Sequence, residues 1–551
     1  MKNIRTYFTL NILLLIMFLY SCSEDKGNYV YDDKEVISID MPTQFTALAF
    51  AENINIEPII TSNLKGIINS NAQGFEFSCE TKNSEGEWIP IGRLENKDVN
   101  ILASLDAGTY TCRYSVVNTD TGVRHSKLFY VRFLTTTTEG WLVLCNEGSD
   151  NRVRLDMLSQ LSFDRIIPAH DVLNVDATVP GLYNSVSLGF YANRRNIRNK
   201  IVMMSQSGAY LLPTEDELAY GSLTTLNEAY ELKRTLFISP TDDHIIGFTT
   251  VPCLDYTNHE MVIATSEEGN AYAWNIQATG AAFELPINTS VRGGKPEYKV
   301  EPYVGTSLYR YTSGMKDYGV ALLYDKDNKR FIGWDADGDK NGESGRKQTC
   351  YPLSGTKEDN KLFSFTTGLD MVTMLNTLST THAILQDGDK RIICSINVMD
   401  KDFRQDGYYT NLNAPNFNVA TNYAASSQYP VIYYSYKNKV YAYNYATDDY
   451  NESIVLAEND HVTMLKFNRY DEPQGVSLLT QNMSEANGAE FRARENELIV
   501  GSYDATLSDI NGGTLRFYQT VSPGLNLTLK QGWEYKGYAK IVDIKYKEVR
   551  R

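Results

Sequence analysis

The chain is poor in the residues that most enzymes depend on. There are six histidines in 551 residues, and none falls into an H-E-x-x-H pair, so a zinc-peptidase helix is excluded. No G-x-S-x-G elbow and no phosphate-cradling glycine loop occurs. Of seven cysteines, none forms a C-x-x-C pair, which removes the usual metal and redox frameworks. Lys and Arg (52) are outnumbered by Asp and Glu (68), for a net charge of -16. Nucleic acid is therefore not an expected partner, because that affinity comes from cations neutralising phosphates. Beyond residue 20 no apolar run is long enough to span a bilayer.

The one long apolar run lies at the start. Lys2 and Arg5 precede Leu10–Leu19, which is too short for a stable spanning helix and reads as the core of a signal peptide over residues 1–21. It ends in Leu19-Tyr20-Ser21-Cys22, a small residue and then a cysteine, the pattern of a lipobox. Diacylglyceryl transfer to Cys22 and cleavage before it would leave an acylated first residue, and several chains on one terminus make a durable anchor. Ser23, Glu24 and Asp25 follow as an acidic export signal for the outer face of an outer membrane, within a tether spanning residues 22–28.

What the chain has in quantity is strand pattern. Hydrophobic residues make up 42 %, Tyr alone contributes 38, and short apolar segments alternate with Gly/Asn/Asp turns, which predicts an all-β protein. Residues 29–137 read as a PKD/immunoglobulin-like sandwich. Its strands are predicted at Val36–Asp40, Ile54–Thr61, Phe75–Glu80, Trp88–Ile91, Thr109–Val117 and Lys127–Phe133. Asp106-Ala107-Gly108-Thr109-Tyr110 has the form of a corner whose tyrosine bonds back to the backbone. Alternation puts Tyr110, Cys112, Tyr114 and Val116 on one face and Phe75, Phe77 and Cys79 on another, so Cys79 and Cys112 are the candidate disulfide, with two buried thiols as the other reading.

Residues 138–551 repeat a hairpin of one style. Copies begin near Trp141, Ile201, Met261, Val320, His382, Val431 and Glu497, roughly 50–65 residues apart. A repeated hairpin predicts a β-propeller, seven blades favoured and eight the alternative, with Ala539–Lys547 pairing to the first blade to close it. Two features inside it bear on binding. Asp337, Asp339, Asn341 and Glu343 place oxygens at alternate positions as in a Ca2+ loop, although Gln348 stands where a bidentate Glu would. The Tyr-rich stretch Tyr408–Tyr450 reads either as a carbohydrate or peptide platform or as strand core. The isolated histidines read as turn or core residues.

Cys22-Ser23-Glu24-Asp25-Lys26-Gly27-Asn28-Tyr29, the Ala107–Tyr110 corner, Asn118-Thr119-Asp120-Thr121-Gly122 and Glu139-Gly140-Trp141-Leu142-Val143-Leu144 together resemble the PKD-like family lipoproteins of gut Gram-negative bacteria. The resemblance is best over residues 22–145. It implies a surface lipoprotein encoded beside a SusC/SusD-type outer-membrane importer, with neighbouring surface lipoproteins as partners and a peptide or glycan as cargo. It supplies no catalytic residues, and a binding role is expected ahead of a propeller hydrolase or lyase or a purely structural scaffold.

The anchor is directly testable. Cys22→Ala is expected to release the protein from the membrane fraction and to abolish palmitate labelling. Changing Glu24 and Asp25 to Ala is expected to leave the lipoprotein protected from protease added to whole cells.

Overall fold

The computed structural model describes residues 34–547 except 71, 93, 107, 174–181, 194–197, 213–223, 226–242, 253–259, 276–285, 291–294, 309–319, 336–348, 356–360, 400–401 and 471–483. It is all-β, with Glu485–Ala493 the one α-helix among the described residues. The chain divides into two compact units, residues 1–104 with 109–132, and residues 105–108 with 133–551.

In the first unit a five-stranded sheet runs in the order Gln44–Leu48, Arg124–Leu134, Gly108–Asn118, Phe75–Lys82, Trp88–Gly92. Ile37–Asp40, Ile59–Ser62 and Gly66–Ile67 form a second sheet, and Asn53–Ile56 pairs with Val99–Leu102. The expected single strand Ile54–Thr61 is two strands in two sheets, broken at Pro58, which has no N–H to donate to a ladder. Burial alternates residue by residue in Asn53–Ile56, Ile59–Ser62 and Val99–Leu102, as it must where one face is packed and one wet. Cys112, Tyr114 and Val116 point inward, and the Tyr114 hydroxyl donates to the Lys97 carbonyl at 2.6 Å. The Asn-Thr-Asp-Thr-Gly motif is a turn held by Asn118: its Oδ1 accepts from Asp120 N (2.9 Å) and Thr121 N (3.2 Å), and Gly122 takes the left-handed φ of 68° that follows.

The second unit contains, among the described residues, seven antiparallel sheets of three or four strands. In chain order their central hairpins are Gly140–Glu147/Arg152–Gln160, Arg198–Ser205/Gly208–Leu212, Glu260–Ser266/Ala271–Asn275, Val320–Asp325/Arg330–Asp335, Thr380–Asp387/Lys390–Asn397, Val431–Tyr436/Lys439–Asn444 and Glu497–Tyr503/Gly513–Val521. Each begins within a few residues of one of the seven hairpin starts read from the sequence, and the last returns through Gly513–Val521, later than the segment read directly after its turn. Val320–Asp325 and Val431–Tyr436 are buried almost without a break, whereas the outermost strand Asn526–Tyr538 is largely exposed. Inner strands covered on both faces carry apolar runs instead of alternation.

Apolar clusters lie between successive sheets. One joins the first and second sheets through Leu142, Leu155, Leu188 and Met203, and others join the third to the fourth, fourth to fifth, fifth to sixth and sixth to seventh. Between the second and third sheets the Phe248 ring occupies the space a Cβ on Gly189 would need. Another cluster joins the seventh sheet to the first through Trp141, Leu158, Phe517 and Ile541. The C-terminal strand Lys540–Lys547 pairs antiparallel with Gly140–Glu147, as expected, so the first sheet is built from both ends of the unit.

The innermost strands share a device that sequence reading did not find. Five of them carry one extra residue, Val542, Val186, Ile246, Val372 and Thr463, always β-branched and always near the strand's start. A bulge there bends the strand and increases its twist. Polar links then tie neighbours together: Ser187 Oγ to Ile246 O (3.3 Å), Thr265 Oγ1 to Pro302 O (3.1 Å), Asn376 Nδ2 to Val304 O (2.9 Å), Arg391 Nη1 to Ala420 O (2.7 Å) and Asn422 Nδ2 to Val462 O (3.3 Å). Asp543 joins three sheets, accepting from Leu188 N at 2.8 Å and from Lys466 Nζ at 2.6 Å.

Asp543→Ala is expected to lower the unfolding free energy by about 1–3 kcal/mol, because it orphans the buried Leu188 N–H. Urea denaturation of the full chain measures this, and Asp543→Asn, which keeps an acceptor, is expected to cost less.

Candidate functional site

The sequence-predicted sites fall in three groups. Cys22, Ser23, Glu24 and Asp25 lie outside the described residues, and so do Asp337, Asp339, Asn341 and Glu343 of the Ca2+-like loop. The Cys79–Cys112 disulfide is not formed: both thiols are free and buried. The two cysteines sit on adjacent strands of one sheet, where Cys79 stands opposite Tyr114 and Cys112 opposite Thr81, and so they are diagonal neighbours. Diagonal positions are about 7–8 Å apart, beyond the Cβ separation of about 3.5–4.5 Å that a bridge requires. Burial pushes the Cys79 thiol up to about 12 and that of Cys112 to about 11, which keeps both protonated.

The Tyr-rich stretch is mostly interior. Tyr433, Tyr434 and Tyr443 are buried, Tyr434 stacks on Tyr441 at 5.2 Å, and the hydroxyls of Tyr434 and Tyr443 donate to Pro415 O and Asp448 Oδ1. Tyr408 and Tyr450 remain exposed. Tyr434, Tyr441 and Tyr443 fill the space between the fifth and sixth sheets and Tyr433 that between the sixth and seventh, where an aromatic body supplies area and a hydroxyl finds a loop carbonyl or carboxylate.

Two groupings have the composition of catalytic sites. On the fifth sheet His382 Nδ1 lies 2.7 Å from Ser395 Oγ, the two residues being cross-strand partners. Both are 2 % exposed, and burial holds the imidazole down at about 4, so the pair is a satisfied core contact closed to substrate. On the first sheet Asp156 is fully buried, with Cys145 Sγ 4.0 Å and His170 Nδ1 3.5 Å from its Oδ2. The Cys145 thiol is raised well above its ordinary value, first by burial and then by Asp156, which makes it a poor nucleophile.

Asp156 serves a different role. Its Oδ1 accepts from Arg154 Nε (2.7 Å) and from Asp171 N (2.7 Å), while Arg154 Nη1 donates to Ile510 O (2.8 Å) and Nη2 to Gly537 O (3.2 Å). A buried guanidinium thus crosses from the first sheet to the seventh. A second one does so near the helix: Arg494, 2 % exposed, lies 4.7 Å from the rings of both Phe163 and Trp533, and Nη2 donates to Phe163 O at 3.2 Å. Beside it Lys530 Nζ reaches Glu497 Oε1 at 2.6 Å, which offsets the burial that raises the Glu497 carboxyl. Sequence reading missed these residues. The available signal was Arg154 and Asp156 at alternate positions inside the strand Arg152–Gln160, which places two charges on one side of a buried segment.

The model of the PKD-like family matches residues 22–185. No curated protein matches the chain. Among solved structures, a quinonprotein alcohol dehydrogenase-like protein from Bacteroides thetaiotaomicron is similar at 11 % identity and a TM-score of 0.39, over 92 % of this chain and 97 % of that one. The WD40 domain of SCAP from fission yeast is similar at 8 % identity and a TM-score of 0.31, over 64 % of this chain and 75 % of that one. Nothing about what those two proteins do carries over at such scores.

The buried imidazole gives a pH signature. An unfolded His382 binds its proton near 6.5 and the folded one only near 4, so between those values the unfolded state holds more protons and stability falls as pH falls. The effect, at most roughly 3 kcal/mol, is expected to flatten in His382→Gln when melting is followed from pH 7 to pH 4.

Proposed function

We propose that this protein is a lipid-anchored binding component on the outer face of an outer membrane, serving a SusC/SusD-type importer of peptide or glycan. The observation that carries the reading is the PKD-like match, which begins at Cys22, the residue at which the leader pattern predicts cleavage and acylation. The second unit is a seven-bladed propeller in this reading, supported by the seven sheets, the clusters between neighbours and the return of Lys540–Lys547 to the first sheet. Such an array presents two rims of turns on a rigid frame, and loops on rigid scaffolds carry recognition. The groups with catalytic composition, Ser395–His382 and Cys145–Asp156, are enclosed in sheet interiors, which favours binding over turnover. Weak binding suffices, because a shared membrane raises the effective concentration of captured cargo beside the transporter.

Affinity purification from native outer membranes, followed by mass spectrometry, tests this directly. Importer subunits are expected to co-purify, and the purified chain is expected to leave peptides and glycans intact. A pull-down without transporter subunits under every inducing growth substrate, or turnover that disappears when one carboxylate is replaced, overturns it.

A further inference from the structure

In the first unit, the sheet formed by Ile37–Asp40, Ile59–Ser62 and Gly66–Ile67 carries apolar side chains on its outer face. Ile37 and Ile60 turn into the sandwich, so Ser38, Ile59 and Thr61 turn out. Thr61 stands between its cross-strand partners Ser38 and Ile67, which puts Ile67 on the same outer face. Val36 continues that face just before the first strand, hydrogen-bonded to Asn63. Val36 and Ile59 are each 59 % exposed, Leu64 in the adjoining turn 53 %, and Ile67 69 %. Ile67 is the diagonal neighbour of both Ile59 and Asn63, so these apolar side chains form one patch and are not scattered singly over the surface.

The start of the unit is pinned to this patch. Val36 N donates to Asn63 Oδ1 at 2.7 Å, Asn63 N to Val36 O at 3.2 Å, and Asn63 Nδ2 to Lys34 O at 3.1 Å. Ser62 Oγ accepts from Leu64 N (3.2 Å) and Lys65 N (3.1 Å) and donates to Glu35 Oε1 at 2.7 Å. Asn118 Nδ2 donates to the other Glu35 oxygen, so that carboxylate is satisfied within the protein. Residues 34–36 are thereby fixed to the turn that presents Leu64. Charge is graded along the face. Lys34 and Lys65 are exposed at this end, with the Lys65 ammonium 4.6 Å from the centre of the Phe75 ring. The exposed carboxylates Asp40 and Glu57 stand at the other end, near Ile59.

We propose, on the premise of the Cys22 anchor in the function proposed above, that this face is a lipid-contact surface. Val36, Leu64 and Ile67 rest among the headgroups of the membrane, and Lys34 and Lys65 reach its phosphates. Cys22 precedes Lys34 by twelve positions, which span at most about 40 Å when fully extended. So short a tether, ending at a segment fixed to the patch, holds this end of the first unit within reach of the bilayer. Apolar side chains flanked by lysines suit the boundary between headgroups and acyl chains, where anionic lipids attract the cations. A weak contact is enough to orient the unit, because the tether supplies a high effective concentration.

The test uses the mature chain from Ser23, without leader or acyl group, and vesicles of equal parts phosphatidylethanolamine and phosphatidylglycerol at millimolar lipid. Co-sedimentation is expected, and it is expected to weaken about tenfold or more in Leu64→Ser/Ile67→Ser, which alters only exposed side chains. Leu128→Ser, an exposed position on the five-stranded sheet, is expected to bind as the native chain does. Thermal melting confirms that each variant is folded. No binding by the native chain, or equal binding by the double variant, overturns the lipid surface. So does a double variant that still binds vesicles but no longer captures importer subunits, which would make the face a protein interface. The anchor is read separately, by palmitate labelling of the native protein, so that either reading can fail without the other.

Discussion

The second unit depends on one pairing: the strand Lys540–Lys547 lies against Gly140–Glu147, bringing residues some four hundred positions apart into register. Without it the first sheet would present Gly140–Glu147 as an open inner edge, and the cluster around Trp141, Ile541 and Tyr546 would lose one wall. The pairing is reinforced by charge. Asp543 takes a backbone N–H from the second sheet and an ammonium from the seventh, and Arg154 and Arg494 cross the same seam, each held by carbonyls, carboxylates or rings. Closing so long a loop is entropically costly, and concentrating buried polar contacts at its junction makes the correct register distinct from sliding alternatives.

That dependence bears on how the PKD-like match is understood. The match runs from Cys22 to Ser185, past the first unit and through the strands Gly140–Glu147, Arg152–Gln160 and Ile166–Ala169. Those three strands belong to a sheet whose fourth member comes from the C-terminus. The matched segment therefore includes part of a sheet that it cannot complete by itself. The Glu139-Gly140-Trp141 stretch illustrates why its residue types are constrained. A Cβ on Gly140 would run into the backbone of Leu158, and the Trp141 indole donates at 2.9 Å to Asn468, which follows the strand His461–Phe467 of the seventh sheet.

The same framework explains why groups that look catalytic in isolation are buried. Ser395 and His382 are opposite one another on neighbouring strands, and Cys145 lies beside Asp156, because strand pairing and alternation put them there. Sheets covered on both faces then remove them from water, and desolvation drives the imidazole down and the thiol up.

Fold class and the repeated hairpin could be read from the chain alone. The seven hairpins, the returning final strand and the inward set Cys112, Tyr114 and Val116 were all legible, because hydrophobic periodicity and turn residues are local properties of the chain. Which residues meet is a property of the folded chain. Cys79 and Cys112 proved to be diagonal neighbours in one sheet, Pro58 divided a strand between two sheets, and most of the Tyr408–Tyr450 aromatics turned inward. Charges such as Arg154, Asp543 and Arg494 found their partners hundreds of residues away. Strand register and sheet order fix such contacts, and neither is encoded in any local window of sequence.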